Sequence, residues 1–183
     1  MQMDEGLDTG DVLASVIVPI DTAETAGTLF DKLELAGIPC LLDTLGAIEA
    51  STISPSSQPD EGVTYAKKIS KDEAQVNWNQ PADAVNRTIR AFNPEPIAYS
   101  FLGDLRIKIW TAEPVGLSGH ISGKQPGTIV ELTKRGLTVA CETGDLLITG
   151  IQLPLGKGTM LTGKAIMNSR KDVLVPGSRF HAQ

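Results

Sequence analysis

The 183-residue sequence predicts an α+β protein: a short α/β stretch followed by a small, closed or nearly closed β-barrel. Three observations point there. An apolar run at 12–20 is followed by helical spacing, a Ser/Pro/Gly-rich break interrupts the chain at 51–62, and beyond Pro96 the apolar period changes to two.

Residues 12–20, VLASVIVPI, are nearly continuously apolar and rich in β-branched residues, which suits a buried strand. Asp21 and Glu24 form a capping-box-like start, with Asp21 as N-cap. Ala26, Leu29, Phe30 and Leu33 follow at helical spacing, and Gly37 is the expected stop. Pro39 then opens a second helix, with Leu41, Leu42, Leu45 and Ile48 on one face. The linker is expected over 51–80, its clearest part being STISPSSQPDEG at 51–62. This divides the chain into 1–50, 51–80 and 81–183.

Pro81 begins a third helix, with Ala84, Val85, Thr88, Ile89 and Phe92 on one side. Asn93-Pro94-Glu95-Pro96 ends it. Ile97, Tyr99 and Phe101 then alternate into a Gly103-Asp104 hairpin turn. Leu105, Ile107 and Ile109 point one way, and Arg106, Lys108 and Trp110 the other. Further strands are expected at 128–133, 137–141 and 146–153, separated by Lys134-Arg135-Gly136 and Glu142-Thr143-Gly144-Asp145. A helical stretch is expected over Thr162–Ser169.

Composition narrows the classes of function. No run reaches the about 18 apolar residues of a membrane span, and the acidic start lacks the pattern of a secretory signal. Cys40 and Cys141 read as reduced structural thiols of a cytoplasmic protein, and with only His120 and His181 to join them a zinc site is not expected. The net charge of −6 is uneven: residues 1–96 carry 6 Lys and Arg against 16 Asp and Glu, whereas 97–183 carry 10 against 6. A basic half suits a polyanion, since Lys and Arg displace counterions condensed on phosphates. Pro154–Thr159 has a Gly-Lys-Gly step, but the full phosphate-loop spacing is absent and nucleotide hydrolysis is not expected.

The densest chemistry is at the start. Asp4, Glu5, Asp8 and Asp11 lie within eight residues, and Gly6 and Gly10 allow a tight loop at a cleft edge. There a carboxylate can act as a base or orient a protonated partner, although on spacing alone a solvated acidic turn explains it as well.

Met1–Asp11 resembles the closing motif of the folate-dependent formyltransferase domain, and the likeness runs on through most of the chain. Thr25–Leu33, Tyr65–Ile69, Glu73-Ala74, Val76–Trp78 and Arg90–Pro94 resemble successive stretches of the methionyl-tRNA formyltransferase family. Asn168–Arg170 and Val175–Arg179 resemble its terminus. The resemblance implies that 1–50 is the remnant of a Rossmann-like formyltransferase domain and 81–183 an OB-like barrel. It implies transfer of a formyl group from 10-formyltetrahydrofolate to the amino group of initiator methionyl-tRNA. The catalytic aspartate of the family falls on Asp8, which would orient a histidine and help relay a proton.

The family's Asn/His loop has no counterpart in these residues, so the chain alone is expected to be inactive. A non-catalytic tRNA-binding module, or a formyltransferase for a sugar nucleotide, are the alternatives. In the family the barrel contacts tRNA through a basic channel. The candidates here are Arg106, Lys108, Lys134, Arg135, Lys157 and Arg170, with Lys124, Lys164 and Lys171 in reserve; Arg106 and Lys108 share a strand face. No membrane or DNA partner is expected. A monomer is expected in the intact family, with residues 1–50 loosely ordered or packed on another chain through an exposed sheet edge.

Overall fold

The computed structural model describes residues 1–115, 122–154, 158–169 and 172–182. The chain forms two compact units, Met1–Lys68 and Ile69–Gln183.

The first unit is built around one helix, α1 (Ala26–Glu49). Its N-cap is Thr25, whose hydroxyl accepts from the Thr28 backbone at 3.2 Å, while the Thr28 hydroxyl accepts from the Thr25 backbone at 3.0 Å. The cap therefore falls downstream of the expected Asp21. A threonine pair already satisfies both orphan amides, and the two upstream acids turn instead to Lys32, which contacts Asp21 at 2.6 Å and also Glu24. Neither Gly37 nor Pro39 divides the helix. Each costs helix free energy, about 1 and 3 kcal/mol, but the good helix formers on either side carry the backbone through.

The run at 12–20 is not a buried strand. Only Val12 pairs, through reciprocal backbone bonds to Ser56 at 2.8 and 3.0 Å, and Val16, Ile17 and Ile20 are exposed. Apolar content marks a segment that can be buried, but a strand also needs a neighbour along its whole length, and within this unit that neighbour is one residue.

The second unit holds the core. Residues 69–80, expected in the linker, belong to it: a 3-10 turn at Asp72–Ala74 leads into Val76 and Trp78, and Ala74, Val76 and Trp78 are all buried. Helix α2 (Ala82–Ala91) follows Pro81 as expected and buries Ala82, Val85 and Ile89. Strands β1 (Tyr99–Leu102) and β2 (Leu105–Val115) make the hairpin around Gly103-Asp104. Strands β3 (Ile129–Leu132), β4 (Leu137–Ala140) and β5 (Asp145–Gln152) follow at the expected places. Two short strands, β6 (Met160–Thr162) and β7 (Phe180–His181), form where none was expected. The expected helical stretch near the end is one short helix, α3 (Lys164–Asn168), anchored by buried Ile166.

All strand pairs are antiparallel, in the order β3-β4-β5-β2-β1-β7, with β6 beside β5. The sheet curls until its ends meet. Phe180 N donates to Gly127 O, Ile129 N to Ser178 O and Gly177 N to Ile129 O, each at 2.8 Å. Two glycines make the curl possible: a Cβ on Gly127 would stand 2.4 Å from Phe180 O, and one on Gly136 2.1 Å from Ile148 O. Inside lie Ile107, Ile109, Ile129, Leu137, Leu146, Ile148, Ile151 and Phe180, with α2 packed against β2. Trp78 stacks on Phe180 at 5.5 Å and donates to Ser100 Oγ at 3.0 Å, so its one polar atom is satisfied. The molecule is thus of the α+β class.

Candidate functional site

Asp8 sits at the tip of the acidic loop in the left-handed backbone region, φ 59°, a conformation that aspartate tolerates better than most residues. Gln58 fixes the loop from below. Its Nε2 donates to Asp8 O at 2.9 Å and to Gly10 O at 2.8 Å, and Gln2 N closes the loop onto Asp11 O at 2.8 Å. Gly10 is obligatory here, since a Cβ would stand 1.9 Å from Gln2 O. Leu7, Asp8 and Thr9 form one wall of a cleft of about 470 Å³, and residues 58–66, including Asp60, Glu61 and Tyr65, form the other. Asp8 is exposed within it. Backbone restraint with a free carboxylate is an arrangement that can accept or orient a proton. Residues 1–68 contain neither Asn nor His, so this unit offers no imidazole or asparagine amide to oppose the carboxylate.

In the second unit, Arg106 and Lys108 project from the outer face of β2. They lie opposite Phe101 and Tyr99 of β1, and the Arg106 guanidinium rests 3.6 Å from the Tyr99 ring centroid. Among the described residues neither cation is ion-paired. Lys134 and Arg135 occupy the β3–β4 turn, on a different hairpin, so the structure makes two cationic pairs rather than one cluster. Arg135 is committed to Glu113 at 2.6 Å, both being exposed. Beside that turn a cavity of about 590 Å³ mixes Lys134 and Arg135 with Glu131 and buried Asp145, a less favourable wall for an anion. Lys157, Arg170, Lys171 and His120 lie outside the described residues.

Sequence reasoning missed a third contribution to the Arg106 face. His181, read as a bland surface residue, pairs in β7 with Phe101 and stacks on its ring, centroids 6.1 Å apart. Phe101 in turn meets Tyr99 edge-on at 5.8 Å. The alternation of Tyr99 and Phe101 was a usable signal for that face. The pairing of β7 was not, because it exists only through the closure of the sheet. The two thiols take no part: both are free, and burial pushes the Cys141 thiol up to about 12, helped by the nearby Asp145 carboxylate. No group of residues able to hold a metal ion occurs among the described residues, and no described helix is long and apolar enough to cross a membrane.

One unit carries a restrained acidic loop beside a cleft and the other a curled antiparallel sheet with a cationic face, and the comparisons with known proteins give this combination a family. Residues 68–171 match the family described as formyl transferase, C-terminal domain, and the chain belongs to that family. A methionyl-tRNA formyltransferase of Stutzerimonas stutzeri is 44% identical over 177 residues, covering 97% of this chain and 54% of that protein. The chain thus spans about half the length of the curated relative it matches. Among solved structures, HypX of Aquifex aeolicus in complex with tetrahydrofolic acid matches 98% of this chain and 32% of its own at TM-score 0.67 and 18% identity. An N-formyltransferase of Helicobacter canadensis, in complex with folinic acid and dTDP-3-aminofucose, matches 80% of this chain and 52% of its own at 0.60 and 19%. Identities this low speak for the fold alone.

Proposed function

We propose that this chain is the C-terminal portion of a methionyl-tRNA formyltransferase. Its first unit is the end of a Rossmann-like catalytic domain, and its second an OB-like barrel that holds the tRNA. The carrying observation is 44% identity along 97% of the chain to a protein of that activity. In the reaction, the methionyl nitrogen bonds to the formyl carbon of 10-formyltetrahydrofolate, the bond from that carbon to the folate nitrogen breaks, and the proton lost by the amine returns to the folate nitrogen. Asp8 is the group in this chain suited to carry or steer that proton. The restraint by Gln58 supports the role, because a loop backbone held in place before substrate arrives leaves only the Asp8 side chain to orient. Donors to the developing oxyanion are a separate requirement, and the lack of Asn and His in residues 1–68 favours a second reading for these 183 residues alone: a tRNA-binding module without catalysis.

The cations suit an acceptor of high negative charge. By unit, residues 1–68 carry 3 Lys and Arg against 12 Asp and Glu, and 69–183 carry 13 against 10, so phosphate contact falls to the second unit. The test is a chimaera in which this chain replaces the matching half of the Stutzerimonas stutzeri protein. Formyl transfer to initiator methionyl-tRNA should persist, and Asp8→Asn should lower kcat by about two orders of magnitude or more. A well-folded chimaera that binds tRNA but transfers nothing would favour the binding module; one that neither binds tRNA nor transfers would overturn both readings.

A further inference from the structure

Phosphate contacts alone would make the second unit indifferent to whether a strand is paired. The outer face of β7-β1-β2 carries more than cations. Cross-strand register puts His181, Phe101 and Arg106 in one row and Tyr99 and Lys108 in the next, all on the same face. The rings are in contact with one another and with their neighbours. Arg106 lies on Tyr99, Phe101 lies between Tyr99 and His181, and the His181 ring nitrogens stand 3.0 and 3.1 Å from the carbonyl oxygens of Ala182 and Gly103. Phe101 is only partly covered, and Arg106 and His181 are exposed. Beside His181 a cleft of about 170 Å³ is lined by Asn77, Asn79 and Arg179. That is below the size of a drug-like site and suits one planar ring; Asn77 Oδ1 already accepts from Asn79 N at 3.0 Å, which leaves its amide N–H groups for a polar edge.

We propose that this face is a stacking platform for unpaired RNA bases: one base lies over the Phe101–His181 pair, and the neighbouring phosphates meet Arg106 and Lys108. The inference rests on the tRNA-binding reading and refines it, assigning this face of the second unit to a single-stranded segment of the acceptor. Two features favour RNA in this unpaired form. Bases inside a duplex show only their edges, whereas exposed aromatic faces next to cations recognise splayed bases. The cations are also free of ion pairs among the described residues, so a phosphate displaces no protein partner.

The full chain is titrated with a fluorescent short oligoadenylate and with the same strand annealed to its complement, at several salt concentrations. The single strand should bind more tightly than the duplex. Phe101→Ala should weaken single-strand binding about 5- to 150-fold and leave the salt dependence unchanged. Phe101→Leu, which keeps apolar cover over the strands, should weaken it in the same direction, so that lost binding is separable from lost folding. Arg106→Ala with Lys108→Ala should reduce the salt slope by about one for each phosphate contact removed. If the Phe101 and His181→Ala variants bind the single strand like the parent while the cation variant loses affinity, the platform is refuted and the tRNA reading stands. If neither set changes binding, this face is not the nucleic-acid surface and the platform is refuted, and RNA contact falls to the other cations of the second unit.

Discussion

The two units use similar apolar residues to opposite effect. Helix α1 is rich in leucine and isoleucine, yet none of its 24 residues is buried; Phe30 is 71% exposed and Leu42 63%. In the second unit Ile107, Ile109, Ile148 and Ile151 are wholly buried. Burial follows from pairing, not from content. A strand with neighbours on both sides and a period of two has one face that closes on itself. A single helix that is apolar around its circumference has no second layer in its unit to close against. The second unit should therefore behave as a cooperative domain, whereas α1 should answer mainly to helix propensity.

The largest expected break of this contrast is in the core. Ile148→Ala should destabilise the second unit by about 4 kcal/mol, since it empties a fully buried site, while Leu42→Ala in α1 should change stability by less than about 0.5 kcal/mol. Denaturant melts followed by tryptophan fluorescence read the first change, because Trp78 and Trp110 both lie in the second unit. Native-state amide exchange compares the units directly, with protection expected in β2 and β5 well above that in α1. Equal protection in both, in a monomer, would defeat the comparison.

A single type of substitution sharpens it. At Gly136, φ 153°, alanine would collide with the Ile148 carbonyl and should cost the second unit about 3 kcal/mol. At Gly37 an added Cβ meets nothing within 4 Å, so Gly37→Ala should stabilise α1 by about 1 kcal/mol, read as higher helicity by far-UV circular dichroism. Destabilisation at Gly37 would mean that the face of α1 is packed after all.

The same contrast explains how much was legible in the sequence. The β1–β2 hairpin, β3 to β5 and α2 are local structures, and their turns and periods are written in adjacent residues. The strand at 12–20 and the helix break at Gly37-Pro39 were misread for one reason: local signals state a preference, and partners decide the outcome. Strand β7 was invisible because two residues carry no period, and it is held by Leu102 and Phe101 on one side and Gly127 on the other. The candidate site divides similarly. The acids around Asp8, with their two glycines, announce a loop at a cleft. The stacking of His181 on Phe101 depends on sheet closure, which no short window of sequence records.

The smallest effect concerns the start of α1. Hydrogen bonds from Lys32 and then Thr28 hold the Glu24 carboxyl below its usual 4.5, and bonds to Asp21 and Glu24 raise the Lys32 ammonium above its usual 10.5. A carboxyl with a lowered folded-state pKa stabilises fully above the unfolded value, and that contribution fades as pH drops from 4.5 toward the folded value. The lysine contributes fully below 10.5 and fades as pH rises through its raised value. Helicity of α1 should therefore be flat through neutrality, fall at both ends, and respond to salt, because Lys32 and Asp21 are solvent-accessible. Lys32→Met removes the shared partner and should erase the alkaline limb and shrink the acid one. An acid limb of undiminished size in that variant would assign it to other carboxylates of this acidic unit and leave the Glu24–Lys32 contact without a role in capping the helix.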